Sequence, residues 1–282
     1  MKLGIVGGGT MGEIITRAII QRELFLPQQV MVAELSKGRR EIIASLGVKV
    51  TGNAQDLLSF ADVFVLAVKP QNAAAAVEPL KGKIPDQALV ISIMAGIDIP
   101  YLVERLGHEA VVRSMPNLPA RIGEGLTVWI ASAHVPDRLV MIARAIFQAM
   151  GKEVQVRKEG LLDAATAVSG TGPAYIFFIA ENLLEAARDL GFGQEEALKL
   201  VRETFKGAMD LWAETGESPI ELRRKVTSKG GTTHAAVTHF KEQDISGRFR
   251  QGVRQAYRRA KELAEIAKGD KSQNCQNGRG ER

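Results

Sequence analysis

The stretch LGIVGGGTMG, Leu3–Gly12, decides the fold of this chain. Its first four residues form a compact apolar run typical of a buried strand, and from Thr10 to Gln21 apolar residues recur at helical spacing. The glycines between them fit the pattern G-x-G-x-x-G, with Gly7, Gly9 and Gly12 at the fixed positions. Because this pattern ends a strand and opens a helix, it predicts a turn whose backbone N–H groups bind the pyrophosphate of a dinucleotide.

The three glycines have separate roles in such a turn. Gly7 allows the tight bend, Gly9 lets the backbone approach the pyrophosphate, and Gly12 lets the helix pack close to the strand. The helix N-terminus adds free N–H groups and a partial positive charge. A glycine turn without a ligand is the alternative. The residues predicted to bind the cofactor here are Gly7, Gly8, Gly9, Thr10, Met11 and Gly12.

Further apolar runs alternate with helical patterns through residue 158. Two of them, Asp62–Val68 and Ala88–Ile93, are nearly unbroken, which is typical of strands covered on both faces by helices. The other predicted elements are strands at Val30–Ala33, Val111–Val112 and Leu126–Ile130 and a helix at Ser36–Leu46. Residues 1–158 are therefore predicted to form an α/β Rossmann-type domain with a mostly parallel sheet.

The pattern changes after Lys158, and no convincing strand pattern follows it. Periodicity predicts helices over Leu161–Leu190, Gln194–Glu214, Pro219–Lys225, Gly231–Lys241 and Ile245–Lys268. Residues 159–268 are predicted to form an all-α domain, some of whose apolar faces pack against another subunit. The last segment, residues 269–282, has no aliphatic side chain and is predicted to be disordered.

Composition excludes several classes of protein. Of the 282 residues, 45% are hydrophobic and 24% are charged, which is typical of a globular chain that folds without disulfides or metals. No apolar stretch approaches the roughly 18 residues that span a bilayer. No targeting signal opens the chain, so no membrane association is predicted. The only cysteine, Cys275, excludes an intramolecular disulfide, which fits the reducing cytoplasm.

Most of the net charge of +5 lies in the predicted C-terminal helix, where Asp244–Lys268 contains seven basic and three acidic residues. Such a helix is either a nucleic-acid contact or a solvated or intersubunit surface. The second interpretation is favoured, so no nucleic-acid partner is predicted.

Two sets of residues favour different coenzymes. Glu34 follows the second predicted strand, and its carboxylate can accept a hydrogen bond from the ribose 2′-hydroxyl of NADH. The 2′-phosphate of NADPH can instead be held by the residues that follow, Ser36, Lys37, Arg39 and Arg40. The cofactor is therefore predicted to be NADPH or NADH.

Four later motifs are more specific than the glycine turn. They are AVKP at Ala67–Pro70, VRSMPNLPA at Val112–Ala120, SGTGPAY at Ser169–Tyr175 and LRRKVTSKGGTT at Leu222–Thr233. In this order and spacing, the chain closely resembles the pyrroline-5-carboxylate reductase family from Met1 to about Lys268.

The resemblance implies a Rossmann domain followed by an all-α dimerisation domain. It implies hydride transfer from NAD(P)H to the C=N carbon of a small-molecule substrate, 1-pyrroline-5-carboxylate, giving L-proline in the last step of proline biosynthesis. Homodimers would form by interleaving of the helical domains and could assemble further into a decamer built from five dimers. The active site would lie between the nicotinamide and the helical domain, in a position that two subunits can share.

The chemistry of this substrate calls for an anion clamp and a polar group near the ring nitrogen. Two glycines at a helix start, Gly230 and Gly231, expose successive N–H groups that can bind a carboxylate. A threonine hydroxyl can hydrogen-bond the ring nitrogen, and this catalytic role is assigned to Thr233. Because an iminium already carries its proton, no acid–base pair is required. The predicted substrate-binding residues are Ser228, Gly230, Gly231, Thr232 and Thr233.

The resemblance places the nicotinamide beside the AVKP motif, whose residues are Ala67, Val68, Lys69 and Pro70. Asn53 can reach a cofactor ribose and Asn117 the nicotinamide amide, although each is equally explained as a turn asparagine. Ser169–Pro173 either wall the substrate pocket or allow a tight helix crossing. The histidines and the cysteine show no metal-ligand spacing, so no metal is predicted.

The chain departs from the family pattern at two positions. Lys229 stands where a proline is usual, and Leu118 stands where a threonine is usual. Loss of the proline frees the loop, and Lys229 adds positive charge near the proposed carboxylate site unless it points to water. A reductase of a different cyclic imine and a non-catalytic NAD(P)-binding paralogue are therefore kept as alternatives, and a hydroxyacid dehydrogenase is a third.

Overall fold

Eight strands form one sheet in the computed structural model, which describes residues 1–269. The strands are β1 (Leu3–Val6), β2 (Val30–Ala33), β3 (Lys49–Thr51), β4 (Val63–Leu66), β5 (Leu89–Ser92), β6 (Val111–Met115), β7 (Gly125–Ala131) and β8 (Gly151–Gln155). They lie in the order β3-β2-β1-β4-β5-β6-β7-β8. Neighbouring strands are parallel except for β6 and β7, which are antiparallel, so the predicted mostly parallel sheet is confirmed.

The order of the strands reverses at β1, which pairs with β2 on one side and with β4 on the other. Val6 is aligned with Ala33 of β2 and with Leu66 of β4, so the three strands end at the same level. In open sheets of this kind, ligands bind in the crevice beyond the carboxyl ends of the strands, where the strand order reverses. The glycine turn and Glu34 both follow strands that end at this crevice.

Short 3₁₀ and π turns aside, the α-helices carry the remaining regular structure of the described residues. They are α1 (Thr10–Gln21), α2 (Lys37–Ala44), α3 (Ala73–Val77), α4 (Ile99–Leu106), α5 (Asp137–Ala149), α6 (Gly160–Ala165), α7 (Gly172–Asp189), α8 (Gln194–Thr215), α9 (Pro219–Lys225), α10 (Thr232–Glu242) and α11 (Ile245–Gly269). The helix α1 has the bounds that the sequence predicts, and α2 begins after Ser36, whose hydroxyl accepts a weak hydrogen bond from Arg39 N–H at 3.5 Å.

The unbroken apolar runs of the central strands are explained by burial on both faces of the sheet. Val63 and Val65 of β4 belong to the core that includes the apolar residues of α1 and α5. Phe64 and Leu66, which alternate with them, belong to a second core on the α3 and α4 side. Because period-2 alternation sends successive side chains to opposite faces, a strand buried on both faces must be apolar at every position.

The two edge strands, β3 and β8, are not predicted from the sequence. β3 has only three residues, and β8 carries lysine and glutamate and is largely exposed. Short, charged edge strands are a common way to avoid pairing with other chains, and they lack the apolar run that marks a central strand. The strand β6 is also longer than the predicted Val111–Val112. It includes Arg113 and Ser114, whose polar side chains end the apolar run and are buried with polar partners.

The chain divides into two compact units. The first comprises Met1–Thr171 together with the turns of α11 from Ala256, and the second comprises Gly172–Gln255. The regular elements of the second unit are all helices, which confirms an α/β domain followed by a helical one. The predicted helix Leu161–Leu190 is interrupted, because a π-helical turn at Thr166–Gly170 separates α6 from α7.

Among the described residues, no helix has the length and apolar character needed to cross a membrane. The segment predicted to be disordered begins at Gly269, the end of α11, and its remaining residues lie outside the described part of the chain.

Candidate functional site

The glycine turn has the shape that a phosphate cradle requires. Gly7 has φ +106°, and a Cβ there would lie 2.8 Å from the carbonyl oxygen of Ala67. A Cβ on Gly12 would lie 2.0 Å from the carbonyl oxygen of Gly7, so any side chain would force the helix away from the turn. At Gly9, by contrast, nothing lies within 4 Å of the Cβ position, which leaves the backbone open to a ligand. These residues fit the pyrophosphate of a dinucleotide.

Glu13 in the first turn of α1 is compensated by two arginines. It accepts hydrogen bonds from Nη2 of Arg39 at 2.7 Å and from Nε of Arg17 at 2.9 Å. The hydrogen bond from Arg39 is the largest cause that holds the pKa of Glu13 below its usual value, and Arg17 adds to it. The carboxylate is therefore charged but paired, which limits its repulsion of a phosphate at the helix N-terminus.

The carboxylate of Glu34 is tied to the glycine turn. Its Oε2 accepts the Gly8 N–H at 2.7 Å, and its Oε1 accepts the Ser36 N–H at 2.8 Å. The Nη1 atom of Arg40 donates to the carbonyl oxygens of Glu34 and Leu35 at 2.8 and 2.7 Å. The structure thus brings Glu34 and Ser36, two of the predicted cofactor residues, together with the turn that precedes α1.

Asn53 caps the 3₁₀ turn Ala54–Leu57, which follows β3. Its Oδ1 accepts the Gln55 N–H at 3.0 Å, as expected of a turn asparagine. The Nδ2 amide group carries two further N–H donors. The capping role therefore leaves a contact to a ribose chemically feasible, and that contact stays a prediction.

The AVKP motif directly follows β4. The Ala67 N–H donates to the carbonyl oxygen of Val6 at 2.8 Å, and Ala67 lies against Gly7 of the glycine turn. Lys69 is exposed, and Pro70 opens a 3₁₀ turn. The structure therefore brings the first residue of the motif to the cradle, where a dinucleotide would extend along the crevice.

The π-helical turn Thr166–Gly170 was not predicted. Both the N–H and the hydroxyl of Thr171 donate to the carbonyl oxygen of Thr166, each at 2.8 Å. The hydroxyl of Ser169 donates to the carbonyl oxygen of Ala165 at 3.0 Å. Single π turns inside helices occur frequently at functional sites. The signal in the sequence is the small, glycine-rich stretch SGTGP, which is a poor continuation of a regular helix.

Asn117 connects this π turn to the sheet. Its Nδ2 donates to the carbonyl oxygen of Ser169 at 3.1 Å, and its Oδ1 accepts the Leu126 N–H at 2.8 Å. Gly170 lies close by, because a Cβ there would be 2.8 Å from the Cε of Met115. The side chain of Asn117 therefore has a structural role in the first unit, and its predicted contact with the nicotinamide amide stays untested.

A buried ion-pair cluster also escaped the sequence reasoning. The side chain of Arg113 is 4% exposed, with Nη2 at 2.7 Å from Oδ1 of Asp163 and Nη1 at 3.2 Å from Oε1 of Glu159. The same Glu159 oxygen accepts the Ile99 N–H at 2.7 Å. The signal was available as a lone arginine inside the apolar strand Val111–Met115, because a buried charge requires partners. The cluster ties the strand that leads to the Asn117 turn to the start of α6.

In the second unit, Ser228–Gly231 form a tight turn. The Gly231 N–H donates to the carbonyl oxygen of Ser228 at 3.1 Å, and Gly230 has φ +78°. Positive φ at the third residue is typical of a type II turn, which favours glycine there. A Cβ on Gly231 would lie 2.5 Å from Oγ of Ser228, so a side chain at 231 would displace this hydroxyl.

The turn leads directly into α10. Gly231 is the N-cap of this helix, and Thr232 and Thr233 are its first two residues. Thr233 is half-buried, whereas Thr232 is exposed. The first N–H groups of a helix have no acceptor within the helix and are available to an anion. All five predicted substrate residues therefore lie in one continuous segment that can bind a carboxylate.

In the part of the chain that the structure describes, no group of three or more His, Cys, Asp or Glu side chains is placed to hold a metal ion.

Two family models match the chain. The model described as pyrroline-5-carboxylate reductase dimerisation matches residues 159–263. A model described as NADP oxidoreductase, coenzyme F420-dependent, matches residues 2–96.

Named relatives match nearly the whole chain. It is similar to the pyrroline-5-carboxylate reductase of Synechocystis, with 38% identity over 93% of this chain and 98% of the relative. It is also 34% identical to that of Arabidopsis thaliana over 94% of this chain and 96% of the relative.

Solved structures agree with these matches. A pyrroline-5-carboxylate reductase from Coxiella burnetii superimposes with a TM-score of 0.85 and 34% identity, covering 93% of this chain and 98% of that one. A pyrroline carboxylate reductase from Plasmodium falciparum with NADP bound superimposes with a TM-score of 0.86 and 27% identity, covering 94% and 98% of the two chains.

Proposed function

The chain belongs to the pyrroline-5-carboxylate reductase family, and from that premise we propose which of its residues carry the reaction. The enzyme reduces 1-pyrroline-5-carboxylate to L-proline with NAD(P)H, in the last step of proline biosynthesis. A bound nicotinamide would supply the hydride that the C=N carbon accepts, and the proton already on the iminium nitrogen would remain there in the product. The residues of the chain must therefore bind two anionic molecules, orient them and exclude water.

The cofactor is assigned to the carboxyl edge of the sheet. The turn Gly7–Gly12 would hold the pyrophosphate with backbone N–H groups, supported by the open Cβ position at Gly9. Glu34, Ser36 and Asn53 are assigned to the adenosine half. The residues assigned to the nicotinamide half are Ala67, Val68, Lys69, Pro70 and Asn117. The nicotinamide supplies the hydride when the cofactor is bound.

The substrate assignment rests on the turn Ser228–Gly231 and on α10, the helix that follows it. The positive φ of Gly230 and the absence of a side chain at Gly231 shape a turn that ends at a helix N-terminus. The Gly231 N–H closes the turn by donating to the carbonyl oxygen of Ser228. The donors left for a carboxylate are therefore the N–H groups at the start of α10, which have no acceptor within the helix and add no titratable group. The substrate carboxylate is therefore assigned to Gly230, Gly231 and Thr232, with the Ser228 hydroxyl beside them.

Thr233 is assigned to the ring nitrogen. Its hydroxyl oxygen can accept a hydrogen bond from the iminium N–H, which would orient the C=N carbon and favour the protonated form that accepts hydride. Among the five residues of this segment, Thr233 combines a hydroxyl with a half-buried position. Because the iminium nitrogen already carries its proton, hydride transfer needs no proton donor from the protein.

The test follows loss of absorbance of NADPH and then of NADH with pyrroline-5-carboxylate. We expect Thr233→Ala to lower kcat/KM by about 100-fold with the Kd of the cofactor unchanged, and Thr233→Ser to recover most of the loss. Thr238→Ala, an exposed threonine on the same helix, is the matched control. If Thr233→Ala retains wild-type kcat/KM, the assignment is wrong. Binding of the cofactor without turnover would instead favour a different cyclic imine or a non-catalytic paralogue.

The homo-oligomer is proposed to be a decamer of five dimers. The family match over residues 159–263 is to a dimerisation domain. In agreement with it, α7 has no buried residue, and its Phe177 and Phe178 are 63% and 62% exposed. Exposed apolar surface of this kind marks protein–protein contacts. Light scattering should give a mass of ten chains, and a mass of two chains would reject the higher assembly.

Two further proposals concern the whole chain. Its single cysteine excludes an intramolecular disulfide, which supports a cytoplasmic location. The division into 1–158, 159–268 and a tail of residues 269–282 is supported by the start of the dimerisation match at residue 159. A chain that ends at residue 268 should retain activity, and a large loss on this truncation would argue against the proposed boundary.

A further inference from the structure

The position of Glu34 decides what can bind at the end of β2. Both of its carboxylate oxygens accept backbone N–H groups, from Gly8 at 2.7 Å and from Ser36 at 2.8 Å. The stem of the side chain packs on the turn as well, because a Cβ on Gly8 would lie 3.1 Å from the Cβ of Glu34. The side chain is therefore fixed before any ligand binds, and its charge is stabilised by two donors.

The carboxylate keeps acceptor capacity for a ligand. An ionised carboxylate offers about four lone-pair positions, and the two backbone N–H groups use one on each oxygen. One position on each oxygen is left. Two neighbouring acceptors match two neighbouring donors, which are the free 2′- and 3′-hydroxyls of the adenosine ribose in NADH.

A 2′-phosphate meets the opposite situation at the same place. It has no donor to offer to the carboxylate and carries a charge of about −1.5 to −2 at pH 7. Like charges in direct contact cost binding free energy, and the fixed side chain cannot turn away without abandoning the N–H groups of Gly8 and Ser36. Those two donors would then need other partners.

Of the three basic residues that could compensate, Arg39 and Arg40 are held by the protein itself. Nε and Nη2 of Arg39 donate to the carbonyl oxygen of Gly8 at 2.9 and 2.7 Å, and its Nη2 also pairs with Glu13 at 2.7 Å. Nη1 of Arg40 bridges the carbonyl oxygens of Glu34 and Leu35. The charge of Arg39 is thus matched by a carboxylate. Arg39 braces the glycine turn, and Arg40 braces the backbone that carries Glu34.

We propose that this reductase prefers NADH to NADPH, and that Glu34, fixed by the amides of Gly8 and Ser36, is the residue that sets the preference. Arg39 acts as a positioning residue for the glycine turn, and Arg40 for the backbone of Glu34, rather than as ligands of a 2′-phosphate. The proposal rests on the assignment of the cofactor to this edge of the sheet, but not on the identity of the imine.

Equilibrium binding tests the proposal without any substrate. NADH and NADPH are titrated separately into the full chain by calorimetry, and the ratio of the two Kd values is compared. For the wild type we expect NADH to bind at least about 10-fold more tightly, a difference of about 1.4 kcal/mol. In Glu34→Ser the carboxylate is lost, so NADH should bind more weakly, NADPH more tightly, and the ratio should invert. Equal or tighter binding of NADPH by the wild type would overturn the proposal.

Two further variants separate a local effect from a general one. Glu41→Gln removes the same charge from an exposed position on α2, and it should leave the ratio of Kd values within about 2-fold, a shift of about 0.4 kcal/mol. Arg39→Ala should weaken both coenzymes alike, because it loosens the turn that both use. A selective loss of NADPH binding in Arg39→Ala would show that Arg39 is a phosphate ligand, and it would refute the proposal even if Glu34→Ser failed to fold.

The reductase assay is then run separately with pyrroline-5-carboxylate. Binding that follows the expected ratio without turnover would contradict the assigned reaction and leave the coenzyme proposal standing. Turnover that prefers NADPH would contradict the coenzyme proposal and leave the assigned reaction standing. The two conclusions can therefore fail independently.

Discussion

The open space at Gly9 allows a substitution that separates cofactor binding from folding. Gly9 has φ −67° and ψ −169°, an extended conformation available to any residue, and nothing lies within 4 Å of its Cβ position. Gly9→Ala should therefore fold with a free energy of unfolding within about 0.5 kcal/mol of the wild type. Its methyl group would nevertheless fill the space through which the backbone approaches the pyrophosphate.

The size of the effect follows from two contact distances. A hydrogen bond from a backbone N–H holds a phosphate oxygen about 2.9 Å from the nitrogen, whereas a methyl carbon keeps other atoms about 3.5 Å or more away. A pyrophosphate that moves out to clear the methyl group loses one or more charge-assisted hydrogen bonds, each contributing about 1.5–3 kcal/mol. We therefore expect the Kd of NADH or NADPH to rise by about 10- to 100-fold.

Calorimetric titration and thermal unfolding of the same samples make the test. Gly160→Ala is the matched control, because Gly160 is exposed in the same unit and also has an open Cβ position. Its Kd should not change. Gly12→Ala gives the opposite extreme, since its Cβ would lie 2.0 Å from the carbonyl oxygen of Gly7, and it should lose both stability and binding. A Gly9→Ala protein that binds both coenzymes like the wild type would refute the assignment of this turn to the pyrophosphate.

Three other substitutions test stability. Arg113→Ala leaves Asp163 and its neighbouring carboxylate without a buried cation, so the free energy of unfolding from urea titration should fall by about 3 kcal/mol or more; a change within error would mean that solvent reaches the cluster. Lys229→Pro should raise the free energy of unfolding by about 0.4–1 kcal/mol by restricting the unfolded chain, and a loss would show that position 229 is not the second residue of a type II turn. Glu13→Gln removes a carboxylate whose pKa is held below the usual 4.5 by Arg39. Its difference in Tm from the wild type should be full above pH 4.5 and shrink as the pH falls further, because the wild-type stabilisation requires the charged form; a difference in Tm independent of pH would exclude the ion pair as its source.

The parts of the fold that could be predicted are those in which one physical requirement acts on consecutive residues. A strand buried on both faces must be apolar throughout, as β4 shows, and its run could be read directly. The glycine turn is similar, because the positive φ of Gly7 and the close approach of Gly12 to the Gly7 carbonyl oxygen are requirements that act within a few residues. These signals were sufficient for the central strands of the sheet and for its mostly parallel arrangement.

The elements that were not predicted depend on contacts with distant residues. The edge strand β8 pairs in parallel with β7, and its own sequence, GKEVQ, has no apolar run. The π turn Thr166–Gly170 is linked to Asn117, which lies about fifty residues earlier in the chain. Helical periodicity alone treats this region as part of one continuous helix. A pattern in consecutive residues cannot indicate a contact with a residue so far away in the chain.

The choice of coenzyme shows the same limit within the site. The sequence supplies Glu34 and the basic residues after it, and both sets have suitable chemistry. Only the structure shows that Arg39 is paired with Glu13 and that Glu34 faces the turn. A residue type indicates what a side chain can bind, whereas its existing partners determine what it remains free to bind.

Lys229 illustrates how a departure from a family pattern can leave the geometry intact. The turn Ser228–Gly231 is closed by the hydrogen bond from the Gly231 N–H to the Ser228 carbonyl oxygen. The position that restricts the residue type is Gly230, because its φ is +78°. The second position of a type II turn favours proline but accepts other residues, because its φ of about −60° is an ordinary conformation. Replacing proline by lysine therefore acts on the unfolded chain rather than on the folded turn. For this reason the segment keeps the geometry on which the proposed carboxylate site rests, and the added ammonium group of Lys229 does not argue against that proposal.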